Sequence, residues 1–202
     1  KGQYTIFLTA DHAVAHIPGF LKEHKLPGKS KTSSISLLNQ LLEEKFSIKN
    51  IVNAMANNQL YINDAAIDST SADKEKIKRV IIDYLNKDND ILLAFDNADI
   101  SAANLPAGVK EMFVNGFNSK RGGDIQIVWK AGIFYGGLTG TTHGSIYPYD
   151  AHIPLLWMGW GIKPGQLNRE VYMTDIAPTL ASLLHIQAPN GSVGKVITEV
   201  IK

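Results

Sequence analysis

The sequence predicts an α/β protein, and three observations carry that expectation. Short runs rich in β-branched and aromatic residues, Tyr4 to Ala10, Ile91 to Phe95 and Ile125 to Trp129, have the length of strands. Between them stand segments with apolar residues at helical spacing, from Ser33 to Phe46 and from Ser71 to Asn86. The composition is that of a globular chain, with 202 residues of which 45% are hydrophobic and 19% charged, enough for one domain with a core of its own.

Tyr4 to Ala10 lacks clean alternation, which predicts a strand covered on both faces in a parallel or mixed sheet, with function at its C-terminal end. Past Pro18 the polar stretch Lys22 to Lys31, with Pro27-Gly28 inside it, reads as a loop. Ser33 or Ser34 then caps a helix whose Ile35, Leu38, Leu41, Leu42 and Phe46 share a face. Ile51 to Met55 and Leu60 to Ile62 flank Asn57-Asn58, and asparagine tolerates the positive φ of a tight turn, so a hairpin is expected. The helix from Ser71 to about Asn86, apolar at Ile77, Val80, Ile81, Tyr84 and Leu85, leads into the strand Ile91 to Phe95 as an α-then-β unit. Ala107 to Asn115 reads as a short helix, and Ile125 to Trp129 and Ile153 to Met158 as strands. The connection Lys130 to Tyr149 is glycine-rich and of a length that is usually functional or mobile. A last helix runs from about Asp175 to Leu184, capped by Thr174 or Asp175, with Pro178 tolerated in its first turn. With no repeat, low-complexity tract or break in composition, residues 1–202 read as one α/β domain, with 20–120 as an insertion on the active-site side.

Charge and cysteine content narrow the chemistry. The formal net charge is +1 and the basic residues are scattered, so no stripe suggests a nucleic-acid polymer as partner. The chain has 0 cysteines, which excludes disulfides and thiolate ligation and leaves carboxylate, imidazole and hydroxyl oxygen, donors suited to zinc, manganese or magnesium. No apolar run approaches the roughly 20 residues that span a bilayer, and the N-terminus lacks a basic segment followed by an apolar signal region. The chain therefore reads as soluble with no membrane partner. Lys1-Gly2-Gln3 leads straight into a strand without an initiator methionine, which reads as a piece whose N-terminal part is missing.

Asp11-His12 follows the first strand, where a carboxylate and an imidazole can both turn toward one cation once the chain leaves the pleat. Ala13, Val14 and Ala15 are small enough to leave space above them. Taken alone, the dipeptide fits equally a turn-capping aspartate and a histidine filling a polar gap. Downstream, Gly136-Gly137-Leu138-Thr139-Gly140-Thr141-Thr142-His143-Gly144 sets His143 among glycines, which allow close approach to a ligand, although a surface loop has the same composition. His16 and His152 fit either outer-shell partners or structural residues, and Asp150 fits either an acceptor for the second ring N–H of His143 or a cap of the turn at Tyr149. His24 and His185 read as solvated or structural, Trp129, Trp157 and Trp160 as core or rim aromatics, and Lys120-Arg121, before a glycine turn, as either a solvated pair or a contact to phosphate.

Four ordered motifs, Thr9-Ala10-Asp11-His12-Ala13, Gly140-Thr141-Thr142-His143-Gly144-Ser145, Tyr149-Asp150-Ala151-His152-Ile153-Pro154-Leu155 and Thr174-Asp175-Ile176-Ala177-Pro178-Thr179-Leu180, resemble the alkaline phosphatase superfamily. Within it they most resemble the branch of periplasmic bacterial enzymes with a threonine nucleophile, akin to the type I phosphodiesterases and nucleotide pyrophosphatases. The resemblance is strongest in 4–18 and 113–191 and implies a mixed, mostly parallel sheet flanked by helices, incomplete here because the N-terminal part is absent. It also implies two zinc ions, roughly 4 Å apart, that clamp a phosphoryl group. By resemblance Asp11 and His12 hold the zinc on the nucleophile side and His143 the zinc on the leaving-group side. The nucleophile and the remaining ligands would lie upstream, so no catalytic nucleophile is expected in this chain; Thr141 and Thr142 do not match that motif and read as turn hydroxyls. The implied activity is hydrolysis of small phosphomonoesters in the periplasm or outside the cell, with this piece alone inactive and binding metal weakly. Phosphodiesterase, nucleotide pyrophosphatase and sulfatase chemistry are alternatives within the superfamily, and a non-catalytic α/β binding module is the alternative outside it.

Overall fold

The computed structural model describes residues 3–31 and 34–202. In chain order the elements are β1 (Thr5–Thr9), α1 (Pro18–Glu23), β2 (Lys29–Lys31), α2 (Ile35–Phe46), β3 (Val52–Ala56), β4 (Gln59–Ile62), α3 (Asp64–Asp68), α4 (Lys74–Leu85), β5 (Ile91–Asp96), α5 (Ala107–Gly116), β6 (Ile125–Trp129), β7 (Ile133–Tyr135), α6 (Pro148–Ala151), β8 (Leu155–Gly159) and α7 (Ile176–Leu183). They form two compact units, one of Lys1–Asp11 with Ile153–Lys202 and one of His12–His152.

The larger unit is built on the antiparallel sheet β3-β4-β6-β5. All of β6 is buried. Ile125, Ile127 and Trp129 face a core made with Leu38 and Leu42 of α2 and Ile77 and Ile81 of α4, while Val128 turns the other way onto Phe95 and Phe113. Its one polar side chain, Gln126, is buried with its amide donating to the Asn58 carbonyl at 3.0 Å. The expected hairpin is present, with Asn57 at φ 50° and Asn58 at φ 60°, the pair of left-handed residues that a two-residue turn between twisted strands requires.

Both edge strands of this sheet are closed by an asparagine amide standing in for a neighbouring peptide. Asn39 of α2 donates to the Val52 carbonyl at 2.9 Å and accepts from the Val52 N–H at 2.8 Å. Asn86, which ends α4, does the same to Ala94, at 3.1 and 2.7 Å. A separate, parallel pairing joins β2 to β7, where Lys31 is held by Asp88 and Asp90.

In the smaller unit β1 pairs antiparallel with β8, Thr5 opposite Gly159 and Thr9 opposite Leu155. A short 3-10 turn, Met173–Asp175, leads into α7. The Thr174–Leu180 motif has a structural account here. Asp175, buried, accepts from the N–H groups of Tyr172 (2.9 Å) and Lys195 (2.8 Å), and the fully buried Thr179 donates to the Asp175 carbonyl at 2.6 Å while accepting from Ile197 N–H at 2.9 Å. These bonds fasten the C-terminal segment to the start of α7.

Several expectations change. β1 is not covered on both faces: Ile6, Leu8, Leu156 and Met158, aligned by the register, are between 48% and 62% exposed. Among the described residues its ladder supplies a single neighbour, and apolar content alone does not show whether a strand has two. Among the described residues the strand pairings are antiparallel except β2 with β7, so the parallel majority is not formed within this chain, while the helix-flanked α/β class stands. Ser34 caps α2, accepting from Leu37 N–H, and Ser33 lies outside the described residues, as do Lys1 and Gly2. The cap of α4 is Asp73, not Ser71, because its carboxylate reaches both Glu75 and Lys76 N–H. Lys22–Lys31 holds the end of α1 and the strand β2, and the 130–149 connection holds β7 and the start of α6, short elements whose partners are distant in sequence.

Candidate functional site

His12 is half-buried just beyond β1, and its Nδ1 lies 2.8 Å from the Ala13 carbonyl oxygen. A carbonyl only accepts, so Nδ1 donates this hydrogen bond. This is the arrangement in which a ligating histidine is oriented by a backbone acceptor. The ring of His143 stacks on it, with centroids 3.5 Å apart and planes within 8°. The pair comes from segments joined across the fold by three further bonds. Thr141 Oγ1 donates to the Ala15 carbonyl at 3.1 Å, Gly19 N–H donates to the Leu138 carbonyl at 2.9 Å, and Ala13 N–H donates to the Asp150 carbonyl at 2.8 Å. Gly19 permits this approach, since a Cβ there would meet the Leu138 oxygen at 2.9 Å.

The glycine-rich segment is otherwise open. Thr141, Thr142, His143 and Gly144 are exposed, and Gly136 and Gly144 adopt φ 137° and 95°, conformations that other residues rarely take. Behind it the Asn57-Asn58 turn closes in: Asn58 accepts from Trp129 Nε1 at 2.9 Å and its amide points to the Gly144 carbonyl at 3.5 Å. α6 is anchored from below by Tyr147, whose hydroxyl donates to the Trp129 carbonyl at 2.9 Å, and by Tyr149, whose hydroxyl accepts from Gly132 N–H. Burial pushes the Tyr147 phenol up, as does neighbouring Tyr149.

Asp11 is exposed and ends the N-terminal stretch of the smaller unit, joined covalently to His12. Asp150 is buried on α6 and accepts from Ser145 N–H. The His16 ring lies 4.6 Å from the ring of Phe20 of α1, tilted by 30°, and the His24 ring lies 4.1 Å from the same ring, tilted by 39°. His152 is exposed at the end of α6. Lys120 and Arg121 are exposed in the turn before β6. Asn58 escaped the sequence reading as a site residue, and its signal, a left-handed hairpin position, speaks only of the turn.

Among the described residues no group of three or more histidine, cysteine, aspartate or glutamate side chains is gathered to hold a metal ion. Two imidazoles fall short of the three or four protein ligands that zinc takes. As contributors to a centre they fit in donor chemistry, since two imidazoles brought into stacked contact can each lend a ring nitrogen to a metal.

No protein-family model matches the chain. It is 46% identical over its whole length to alkaline phosphatase PhoV of Synechococcus elongatus, covering 36% of that protein. It is 42% identical to alkaline phosphatase PafA of Elizabethkingia meningoseptica, covering 37%, and 39% identical to a protein of Myroides odoratus named calcium-transporting ATPase, covering 38%. The crystal structure of a wild-type alkaline phosphatase PafA superposes with a TM-score of 0.93 at 41% identity, over 98% of this chain and 38% of that one. The chain thus spans little more than a third of the length of the relatives it matches. Over that span its sequence and fold are those of the alkaline phosphatases PhoV and PafA.

Proposed function

We propose that this chain is part of a zinc-dependent phosphohydrolase acting on small phosphomonoesters. The observation that carries the reading is the stacked pair His12 and His143, on a chain 46% identical along its length to an alkaline phosphatase. In this reading Asp11 and His12 contribute to one zinc ion and His143 to a second. When bound, the ions polarise the phosphoryl oxygens and stabilise the entering and leaving groups. The threonine nucleophile and the other ligands come from polypeptide outside these 202 residues, and a periplasmic or secreted setting goes with the assignment. The chain's own part is positional: Ala13 orients the His12 ring, Thr141 and Gly19 hold the glycine segment against 12–19, and the open Gly140–Gly144 stretch leaves room for a substrate. Thr141 serves as a tether in this account, not as nucleophile.

The test compares the longer polypeptide with the isolated chain for zinc content and p-nitrophenyl phosphate hydrolysis, with Asp11→Ala and His143→Ala in the former. About two zinc ions and turnover in the longer protein only, both lost in the variants, is the expected result. A longer protein that binds no zinc would leave a binding module as the answer. Since one relative is named as an ATPase, ATP belongs in the substrate panel beside a phosphodiester and a sulfate ester, and faster cleavage of any of these would replace the monoester assignment.

A further inference from the structure

The two carboxylate oxygens of Asp150 are used unequally. The residue is 5% exposed; Oδ2 accepts from Ser145 N–H at 3.0 Å, while Oδ1 is buried without a hydrogen-bond partner among the described residues. A buried carboxylate oxygen with no donor is uncommon and marks a place where one is due. Its surroundings point to which donor. Asp150 sits on α6, fixed by the hydroxyls of Tyr147 and Tyr149, and shares a cavity of about 20 Å³ with His143, Thr142 and Ser145. His143 carries a ring N–H on the exposed, glycine-rich side of the cavity, whereas the ring N–H of Trp129, which also lines it, is given to Asn58 and the Thr142 hydroxyl points to the His143 carbonyl. The same Asp150 also receives Ala13 N–H on its backbone carbonyl, one residue past His12. One residue on a rigid turn is therefore attached to both segments that carry the stacked imidazoles.

We propose that Asp150 is the positioning residue of His143: Oδ1 accepts the ring N–H of His143 when the other ring nitrogen holds zinc, while Oδ2 keeps the loop in place through Ser145. The carboxylate thereby sets the tautomer and aim of the imidazole, as outer-shell carboxylates do for ligating histidines. This rests on the zinc phosphohydrolase reading. It also resolves the two roles open to Asp150, since one oxygen serves the turn and the other the histidine.

Asp150→Asn separates these roles. The amide keeps an oxygen for Ser145 N–H but puts a donor where the acceptor stood. Zinc itself is the probe, titrated by calorimetry into the longer metal-free protein. The expected result is two sites in the wild type and, in Asp150→Asn, one site weakened about 10- to 100-fold with the other unchanged, and with the metal-free melting temperature preserved. Asp150→Ala should weaken the same site and also lower that melting temperature. Two sites of wild-type affinity in Asp150→Asn would overturn the proposal, whereas a wild type that binds no zinc would remove the phosphohydrolase reading beneath it. An arm free of any folding defect uses the wild type with ¹⁵N-labelled histidine. On zinc addition the His143 ring should show one tautomer with a slowly exchanging N–H, and a freely exchanging ring proton would refute Asp150 as its acceptor.

Discussion

Removing the Asn39 side chain should be among the more damaging single changes in the larger unit, although Asn39 is itself only half-buried. Its amide satisfies both the N–H and the C=O of Val52, a residue 2% exposed on edge strand β3. Each buried backbone group deprived of its partner costs about 1–3 kcal/mol, so the two together approach about 2–6 kcal/mol. Against a total stability of about 5–15 kcal/mol that is a large fraction. Alanine opens a gap that water can enter from the exposed side, which brings its cost to the lower end of the range. Asn39→Leu fills the gap and keeps water out, so it should be the worse variant despite its apolarity. Asn39→Asp keeps the acceptor for Val52 N–H and loses the donor, and should fall between wild type and leucine. Urea denaturation of the chain, with amide exchange at Val52 as a local readout, checks the order. The reasoning fails if Asn39→Leu is as stable as wild type, or more stable than Asn39→Ala.

Asn86→Ala tests the same device on the other edge, because Ala94 is also 2% exposed; a loss of about 2 kcal/mol or more is expected in the same denaturation assay. Gly123→Ala should cost about 1–3 kcal/mol by overpacking, since a Cβ there would lie 2.7 Å from the Leu60 oxygen and 2.8 Å from Gln59 Cβ. The Arg169 guanidinium, paired through two bonds of 2.7 and 2.8 Å, pulls the Glu199 carboxyl down from its ordinary 4.5 to about 2. The folded state therefore holds the carboxylate charged where the unfolded chain would protonate it. Whatever this exposed pair contributes is present above pH 4.5, fades as the pH falls toward 2, and is screened by salt. NMR titration of Glu199 should give a midpoint near 2 that returns toward the ordinary value in Arg169→Ala.

What the sequence made legible follows from how far each signal reaches. α2 and α4 carry their own period, and Asn57-Asn58 declares its turn in two residues, so these elements match expectation apart from the start of α4, which Asp73 caps in place of Ser71. β2 is three residues long and exists because β7 lies beside it, a pairing that no local pattern announces. The exposure of β1 escaped for the same reason, as an apolar run reports what could be buried and not what is. At the site, Asp11, His12 and His143 stood out by residue type and glycine context, and the His12 and His143 rings do meet. The roles of Ala13, Thr141 and Asn58 rest on backbone carbonyls and side-chain amides whose partners are fixed only by the fold. Asp150 was visible as an acid near His143, but the division of labour between its oxygens was not.

The register of β1 against β8 has a practical consequence for anyone handling these 202 residues. Ile6 faces Met158 and Leu8 faces Leu156, so four large apolar side chains stand side by side on a two-stranded ribbon in contact with water. A patch of that kind is adhesive face to face through its side chains, and among the described residues each of the two strands has one neighbour, which leaves an edge for a further strand. Self-association of the bare chain is thus expected to begin at the five residues of β1 and the five of β8.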